Sequence, residues 1–372
     1  RSEIERNVRL PAEQAYEQIL DTEQLAAGWT ENESNSIQKD VCDRYFLAER
    51  CKGGEEMKKR ILSALMVLCL LLTGCGSTQT PLERTAEYLK TAVPEPDFGS
   101  LDGDWIVFGL ARAGADLSDD YFERYYSAVE AAVQAADGKL DENRYTEYSR
   151  LILALTAIGR DPQNVGGYDL LLPLADLKKT TAQGVNGAAF ALLALDCGGY
   201  EIPLDPEAAV QATRDGYVDV ILAQQNPDGG WSLGGGASDP DLTAMALQAL
   251  AGYRSRTDLS ASADAGLSCL AQMQQEDGAF LSWGAESSES VSQVLVALTA
   301  LGLSPDDARF VKNGQTLEEV LLRFAQNDGS FVHTQGDGGN LLATTQAFYA
   351  LAAVQRARDG KTSLYDMSDV AP

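Results

Sequence analysis

Histidine occurs once in the 372 residues, at His333, and cysteine six times. That leaves little material for a metal site or for nucleophile chemistry that needs an imidazole. A Gly-rich phosphate loop, a Ser-His-Asp set and a Cys-His pair are all missing. Positive charge is also short: 29 Lys and Arg stand against 55 Asp and Glu, a formal charge of −26. Such a surface repels phosphate backbones and excludes nucleic acid as a partner. The rest of the composition, 45% apolar and 23% charged, is that of a folded protein. The length allows up to about three small domains or one large repeat architecture.

Near the start, Met57-Lys58-Lys59-Arg60 precedes an apolar run from Ile61 to Leu72, then Thr73-Gly74-Cys75-Gly76-Ser77. A positive region, a short apolar region and a small-residue cleavage site make an export signal. The run rises only about 18 Å as a helix, short of the roughly 30 Å hydrocarbon core of a bilayer. Leu-Thr-Gly-Cys resembles a bacterial lipobox, which implies that Cys75 is acylated. The expected organisation is therefore an upstream extension over 1–56, a lipoprotein signal over 57–74, a short linker over 75–80 and one domain over 81–372. The expected location is extracytoplasmic, with the membrane met through the lipid anchor only. Cys197 and Cys269 lie inside helical apolar patterns and read as buried free thiols, with a disulfide as the alternative.

Internal repetition is the main structural signal. Leu155-Thr-Ala-Ile-Gly159, Leu247-Gln-Ala-Leu-Ala251 and Leu298-Thr-Ala-Leu-Gly302 share one phrase, with looser copies ending at Gly114, Gly198 and Ala353. Successive ends lie 39 to 53 residues apart, the length of a two-helix unit. These segments are apolar on most sides, as inner helices packed on both faces must be. More amphipathic segments alternate with them: 82–92, 121–136, 168–177, 213–225, 261–275 and 317–326. Six inner and six outer helices predict an all-α fold, an (α/α)6 toroid of six helical hairpins. A solenoid of helical pairs is the alternative.

A second phrase follows the outer segments: Gln134-Ala-Ala-Asp137-Gly138-Lys-Leu140, Gln225-Asn-Pro-Asp228-Gly229-Gly-Trp231 and Gln274-Gln-Glu-Asp277-Gly278-Ala-Phe280, with Asp328-Gly329-Ser330-Phe331 as a shorter copy. Glycine supplies the left-handed residue that ends a helix. Gln can bond terminal backbone groups, and the aromatic seals the loop, so this phrase reads as a structural device. Such loops on helical hairpins resemble the repeats of terpenoid cyclases and protein prenyltransferase β subunits. The transcobalamin and intrinsic-factor toroid is similar, and bacterial lipoproteins with prenyltransferase/squalene-oxidase-like repeats resemble the chain most.

The resemblance gives Asp239-Pro240-Asp241-Leu242-Thr243-Ala244 a meaning. It is similar to the D-x-D-D-T-A of protonating terpene cyclases, whose middle Asp is the acid, which implies a catalytic role for Asp241. Leu242 replaces the third Asp of that motif. The same residues also read as a helix start, with Asp239 as N-cap, Pro240 at N1 and Asp241 favoured by the helix dipole. Zinc-dependent prenyl transfer, which the resemblance also raises, needs a Cys where Thr243 stands and a His on a later inner helix. His333 precedes the last helix, so no metal and no cofactor are expected.

Polar groups begin the other inner helices too: Asp104-Trp105, Glu147-Tyr148, Asn186, Glu289 and Asn340. A closed toroid gathers these on one rim with Trp231 and Trp283. The ligand-binding candidates are therefore Trp105, Glu147, Tyr148, Asn186, Trp231, Asp239, Asp241, Trp283 and Glu289. An acidic, aromatic rim suits a sugar, a corrinoid or an isoprenoid-like ligand, although each polar residue alone is also explained as a cap.

The leading expectation is a lipid-anchored extracytoplasmic module that binds a small-molecule ligand. A terpenoid-cyclase-like or sugar-active enzyme using Asp241 is one alternative. A structural component partnered by a surface protein is the other. Protein from the native host is expected to begin at a diacylglyceryl-modified Cys75, as read by intact mass. Cys75→Ala is expected to leave the membrane fraction without loss of folding.

Overall fold

The computed structural model describes residues 79–370, except 116–119, 235 and 283. The segments 1–56 and 57–74, the lipidation residue Cys75 and the rim candidate Trp283 lie outside the described residues. Twelve α-helices are present among those described. The odd-numbered set comprises α1 Pro81–Ala92, α3 Tyr121–Ala135, α5 Leu177–Thr180, α7 Arg214–Ala223, α9 Thr257–Met273 and α11 Leu317–Leu322. The even-numbered set comprises α2 Trp105–Ala113, α4 Thr146–Ala157, α6 Val185–Cys197, α8 Pro240–Leu250, α10 Ser288–Ala300 and α12 Leu341–Arg358. None of them is long and apolar enough to cross a membrane.

The even helices form the inner ring. Each packs on its two even neighbours, and α12 packs against both α10 and α2, so the ring closes. A solenoid would leave its first and last inner helices apart. Closure explains the composition of these segments, because an inner helix touches protein on nearly every side. In α10 every residue from Ser288 to Thr299 is buried, and in α4 every residue from Tyr148 to Ala157. Small side chains permit the close approach: a Cβ on Gly187 of α6 would stand 2.1 Å from the Thr180 carbonyl oxygen of α5.

The third outer helix expected over 168–177 does not form. Val165 pairs with Tyr168, a 3-10 turn covers Leu172–Ala175, and α5 is a single turn capped by the Asp176 carboxylate. Asp169 accepts the Leu171 N–H at 2.8 Å in a local turn. Pro173 removes a helical donor and biases Leu172 away from helix. Local turn chemistry outweighs the amphipathic pattern here.

The Gln…Asp-Gly-aromatic loops link α7 to α8 and α9 to α10, and the shorter Asp328-Gly329-Ser330-Phe331 copy links α11 to α12. Gln225 Nε2 donates to the Gly229 carbonyl at 2.7 Å and to Ser262 O at 2.9 Å, and its Oε1 accepts from Ser262 Oγ at 2.8 Å. Gln274 bonds Gly278 O and Phe310 O in the same manner. Gly229 has φ +92°, and a Cβ there would meet Ala265 O at 2.7 Å, so both backbone and space demand glycine. The aromatics Trp231, Phe280 and Phe331 are fully buried. In two copies the aromatic N–H is taken by a threonine one turn into the inner helix: Trp231 by Thr243 Oγ1 at 2.9 Å, Phe331 by Thr344 Oγ1 at 2.8 Å.

At the other end of the ring, two buried arginines hold the C-terminal tail. Arg112 of α2 donates to Leu364 O, Ser363 O and Asp366 O, and Arg112 and Arg356 share Asp369. These bonds hold the Asp369 carboxyl well below the usual carboxylate range despite some burial. Cys197 and Cys269 are free and buried, and burial pushes the Cys197 thiol up to about 12, which leaves it unreactive.

Gln225→Leu is expected to lower unfolding free energy by about 1–3 kcal/mol in urea melts, since it strands the Gly229 and Ser262 carbonyls.

Candidate functional site

The first turn of α8 holds the sharpest sequence motif. Asp239 is its N-cap: one carboxylate oxygen accepts the N–H of Asp241 at 2.9 Å and of Leu242 at 3.0 Å. Its own N–H bonds Trp231 O at 2.8 Å, which ties the cap to the preceding loop. Pro240 follows at N1, where no donor is needed. Capping therefore accounts for Asp239. It does not account for the Asp241 carboxyl, whose Oδ1 is closed off from solvent and has no hydrogen-bond partner.

Burial is the main cause that raises Asp241 to about 6. The Asp239 and Glu289 carboxylates raise it further, while the nearby Ser290 hydroxyl and His333 oppose the shift. Ser290 Oγ is itself buried and unpartnered in hydrogen-bond geometry, so two orphaned polar atoms neighbour one another at the starts of α8 and α10. Helix α10 is capped by Ser287, which accepts the Ser290 N–H. Glu289, 7% exposed, accepts from Ser287 Oγ at 3.1 Å and pairs with His333 Nδ1 at 2.8 Å. The His333 side chain is 45% exposed, so it joins a buried carboxylate to solvent.

The loop carrying His333 is set by the short antiparallel pair β3 Phe331–Val332 with β4 Gly339–Asn340, and Ser288 donates its N–H to His333 O. A similar pair, β1 Leu281–Ser282 with β2 Ala285–Glu286, precedes α10. Asn340 caps α12 through the Ala343 N–H.

Below these groups the ring interior is aromatic. The Trp105 ring of α2 lies 5.8 Å from Phe190 of α6 and 6.1 Å from Tyr349 of α12. Helix α4 separates α2 from α6 around the ring, so Trp105 and Phe190 meet inside it. Tyr349 OH accepts from Gln293 Nε2 at 2.6 Å, and Gln293 Oε1 accepts from Gln248 Nε2 at 3.0 Å. Burial raises the Tyr349 hydroxyl well above its ordinary value, with Tyr365 and then Asp241 and Glu289 adding to the shift. The acid pair and the aromatic interior therefore lie within electrostatic reach of one another.

Several rim candidates have other duties. Trp231 does not reach the rim: it is fully buried, with Nε1 on Ile221 O at 2.7 Å, because the loop glycines fold it under the helix start. Tyr148 is buried, and its hydroxyl accepts the Leu140 N–H. Glu147 pairs with Arg150, which also bonds the fully buried Asp104, in a network between α2 and α4. Asn186 is half-buried at the start of α6. Trp105, Asp241 and Glu289 are the candidates brought together. His333, Ser290, Phe190, Tyr349 and Gln293 join them without having been picked as site residues. The interior three sit on helices buried on nearly every side, where hydrophobic periodicity cannot mark an inward face.

The zinc site of protein prenyl transfer does not fit these residues. The Thr243 hydroxyl stands in the thiolate position and is held by the Trp231 backbone, and His333 Nδ1 faces Glu289. Among the described residues no group of three or more His, Cys, Asp or Glu is placed to hold a metal ion.

The model of the prenyltransferase alpha-alpha toroid domain matches residues 171–337 and 291–369. A copalyl diphosphate synthase from Streptomyces cyslabdanicus is 29% identical over 296 residues, which is 76% of this chain and 52% of that protein. A drimenyl diphosphate synthase from Streptomyces showdoensis is 30% identical over 162 residues, 42% of this chain and 29% of that protein. The chain thus spans from under a third to about half the length of these relatives. Among solved structures, Candida albicans protein geranylgeranyltransferase-I in complex with GGPP aligns with TM-score 0.52 and 12% identity, covering 76% of this chain and 93% of that one. That last likeness is one of fold.

A carboxyl raised to about 6 binds a proton in the folded chain that the unfolded chain releases near pH 4. Stability therefore falls as pH rises through that window, and the cost is fully present above pH 6. Asp241→Asn is expected to exceed wild type in unfolding free energy by about 2 kcal/mol at pH 7.5 in urea melts, with the gap closing below about pH 4.

Proposed function

Since the chain belongs to the prenyltransferase alpha-alpha toroid family, we propose that Asp241 is the proton donor of a site that cyclises an isoprenoid. One observation carries this reading: the Asp241 carboxyl is held partly protonated near neutral pH, with Oδ1 unpartnered, beside an aromatic interior. An ordinary surface carboxylate has no proton to give at that pH. The names of the two synthase relatives agree with isoprenoid chemistry.

In the proposed reaction the Asp241 proton is transferred to one carbon of a substrate double bond. The π electrons form the new C–H bond and the adjacent carbon becomes cationic. Successive double bonds attack that centre, and the electron-rich faces of Trp105, Phe190 and Tyr349 stabilise the migrating charge. Loss of a proton from carbon ends the sequence and restores neutrality. Asp241, left as the anion, regains its proton from solvent, and His333 on Glu289 is an exposed group within electrostatic reach that can relay it. Water must be excluded for the cation to survive, which suits a ring interior closed by aromatic rings.

A second reading is a ligand-binding module without turnover. Leu242 favours it, because it removes the third acid of the protonating motif and the hydrogen bonds that acid would bring. A glycan or corrinoid ligand, or a role as partner of a surface protein, belongs to this reading. Membrane anchoring through Cys75 and an extracytoplasmic location are proposed on sequence grounds, and would put the site close to membrane-borne isoprenoids.

The test is product analysis by gas chromatography and mass spectrometry with a panel of linear isoprenoids. Wild type is expected to turn over at least one of them, faster toward pH 6. Asp241→Asn is expected to lose about 10²–10⁴-fold in rate while remaining folded. Saturable binding with no product from wild type would favour the module reading instead.

A further inference from the structure

Four serines stand at or near the start of α10, Ser287, Ser288, Ser290 and Ser292, and all are buried. Three of them have their hydroxyls engaged. Ser287 accepts the Ser290 N–H as the helix cap, Ser288 Oγ donates to Val332 O at 2.8 Å, and Ser292 Oγ donates to Ser288 O at 2.8 Å. Ser290, with none of its surface exposed, has no partner for its hydroxyl. The usual outlet for a serine on a helix is the carbonyl four residues back. For Ser290 that is Glu286 O, which accepts from Thr334 Oγ1 at 2.9 Å.

A buried hydroxyl without a partner costs free energy. This one neighbours the other unpartnered atom of the site, Asp241 Oδ1. Helices α8 and α10 pack together in the ring, and the two residues lie in their first turns. Leu242, which replaces the third acid of the protonating motif, brings no polar side chain to Asp241 from its own helix. The hydroxyl beside the carboxyl comes from the adjacent helix instead.

The charged and titratable groups around Asp241 are Asp239 of α8, Glu289 of α10, His333 of the loop between β3 and β4, and Tyr349 of α12. Asp239 is occupied by the N–H groups of Asp241 and Leu242, Glu289 and His333 are bonded to each other, and Tyr349 OH accepts from Gln293. Ser290 is the fully buried donor left without a task.

We propose that Ser290 is a positioning residue of the acid, whose hydroxyl turns to donate to Asp241 Oδ1 once the carboxyl has lost its proton; its role in turnover rests on the reading of Asp241 as proton donor. Before the reaction the two atoms stand unpaired, and the anion that proton transfer leaves behind supplies the acceptor. A serine hydroxyl reorients about one bond. It keeps its own proton, so no bond to the Ser290 oxygen forms or breaks. A hydrogen bond to an ion is roughly twice as strong as one between neutral groups. An interaction made only as charge develops lowers the barrier, whereas one made equally in the resting state does not.

Urea melts at about pH 5 and pH 8 test the pairing without turnover. Near pH 5 Asp241 is mostly neutral, and Ser290→Ala is expected to be at least as stable as wild type, because it removes an unpartnered hydroxyl. Near pH 8 the anion lacks its donor. The variant then holds the Asp241 proton about tenfold more tightly when folded, and its folding equilibrium is expected to fall below wild type by about that factor. In the Asp241→Asn background the same substitution is expected to have one effect at both pH values. With an isoprenoid that wild type turns over, Ser290→Ala is expected to lose about tenfold in kcat at little change in KM, while the alkaline limb of its rate profile moves up by about one pH unit. The proposal is overturned by a stability effect that is the same at both pH values, by a pH-dependent effect that persists in Asp241→Asn, or by wild-type kcat and limb in Ser290→Ala. Absence of turnover by wild type overturns the isoprenoid reading, and the melts then decide the pairing by themselves.

Discussion

Closure of the inner ring is the constraint from which the other features follow. Once α12 packs against α2, each even helix has protein on nearly every side and must be built from small or apolar residues. The hairpins alternate direction, so all inner N-termini share one rim and all inner C-termini the other. The loops that enter the inner helices then have little freedom, and those before α8 and α10 are set by a positive φ, a glutamine clamp and a buried ring. Closure also leaves an interior, which Trp105, Phe190 and Tyr349 line with aromatic rings.

The behaviour of Asp241 is a contest between opposed effects at one helix start. The helix dipole favours the anion by roughly 0.3–1 kcal/mol at an ordinary exposed position. Loss of water around the carboxyl, with Asp239 and Glu289 nearby, favours the neutral form. The net rise to about 6 shows that desolvation prevails. Glu289 differs in kind, since Ser287 and His333 both bond it. Two neighbouring carboxyl groups thus have distinct tasks, one able to give up a proton and the other able to hold a histidine beside it.

What was legible in the sequence depended on whether local pattern or tertiary contact decided the outcome. The repeats, the loop phrase, the Asp239 cap and the buried thiols rest on short-range chemistry, and the structure has each of them where the residues place it. The outer segment over 168–177 misled, because Asp169, Pro173 and Asp176 specify turns more strongly than its amphipathic pattern specifies a helix. Trp231 has the sealing role that the loop phrase implies and not the rim position also expected of it, because the left-handed glycine turns it inward. His333 is set by a pairing of two-residue strands, too short to leave an alternation, and Phe190 and Tyr349 sit on helices with no polar face to reveal orientation.

The two ends of the ring are electrostatic opposites, and the side chains at each end answer the backbone differently. At the rim of inner N-termini the dipoles invite anions, and Asp239 takes up that role as a cap while Asp241, buried beside it, resists ionising. At the other rim the carbonyl ends repel anions. There Arg112 and Arg356 bind Asp369 and the tail carbonyls, and Arg214 neutralises Asp196. Those arginines compensate the helix ends where the tail needs anchoring, so the charge of the backbone is answered by side chains at both rims.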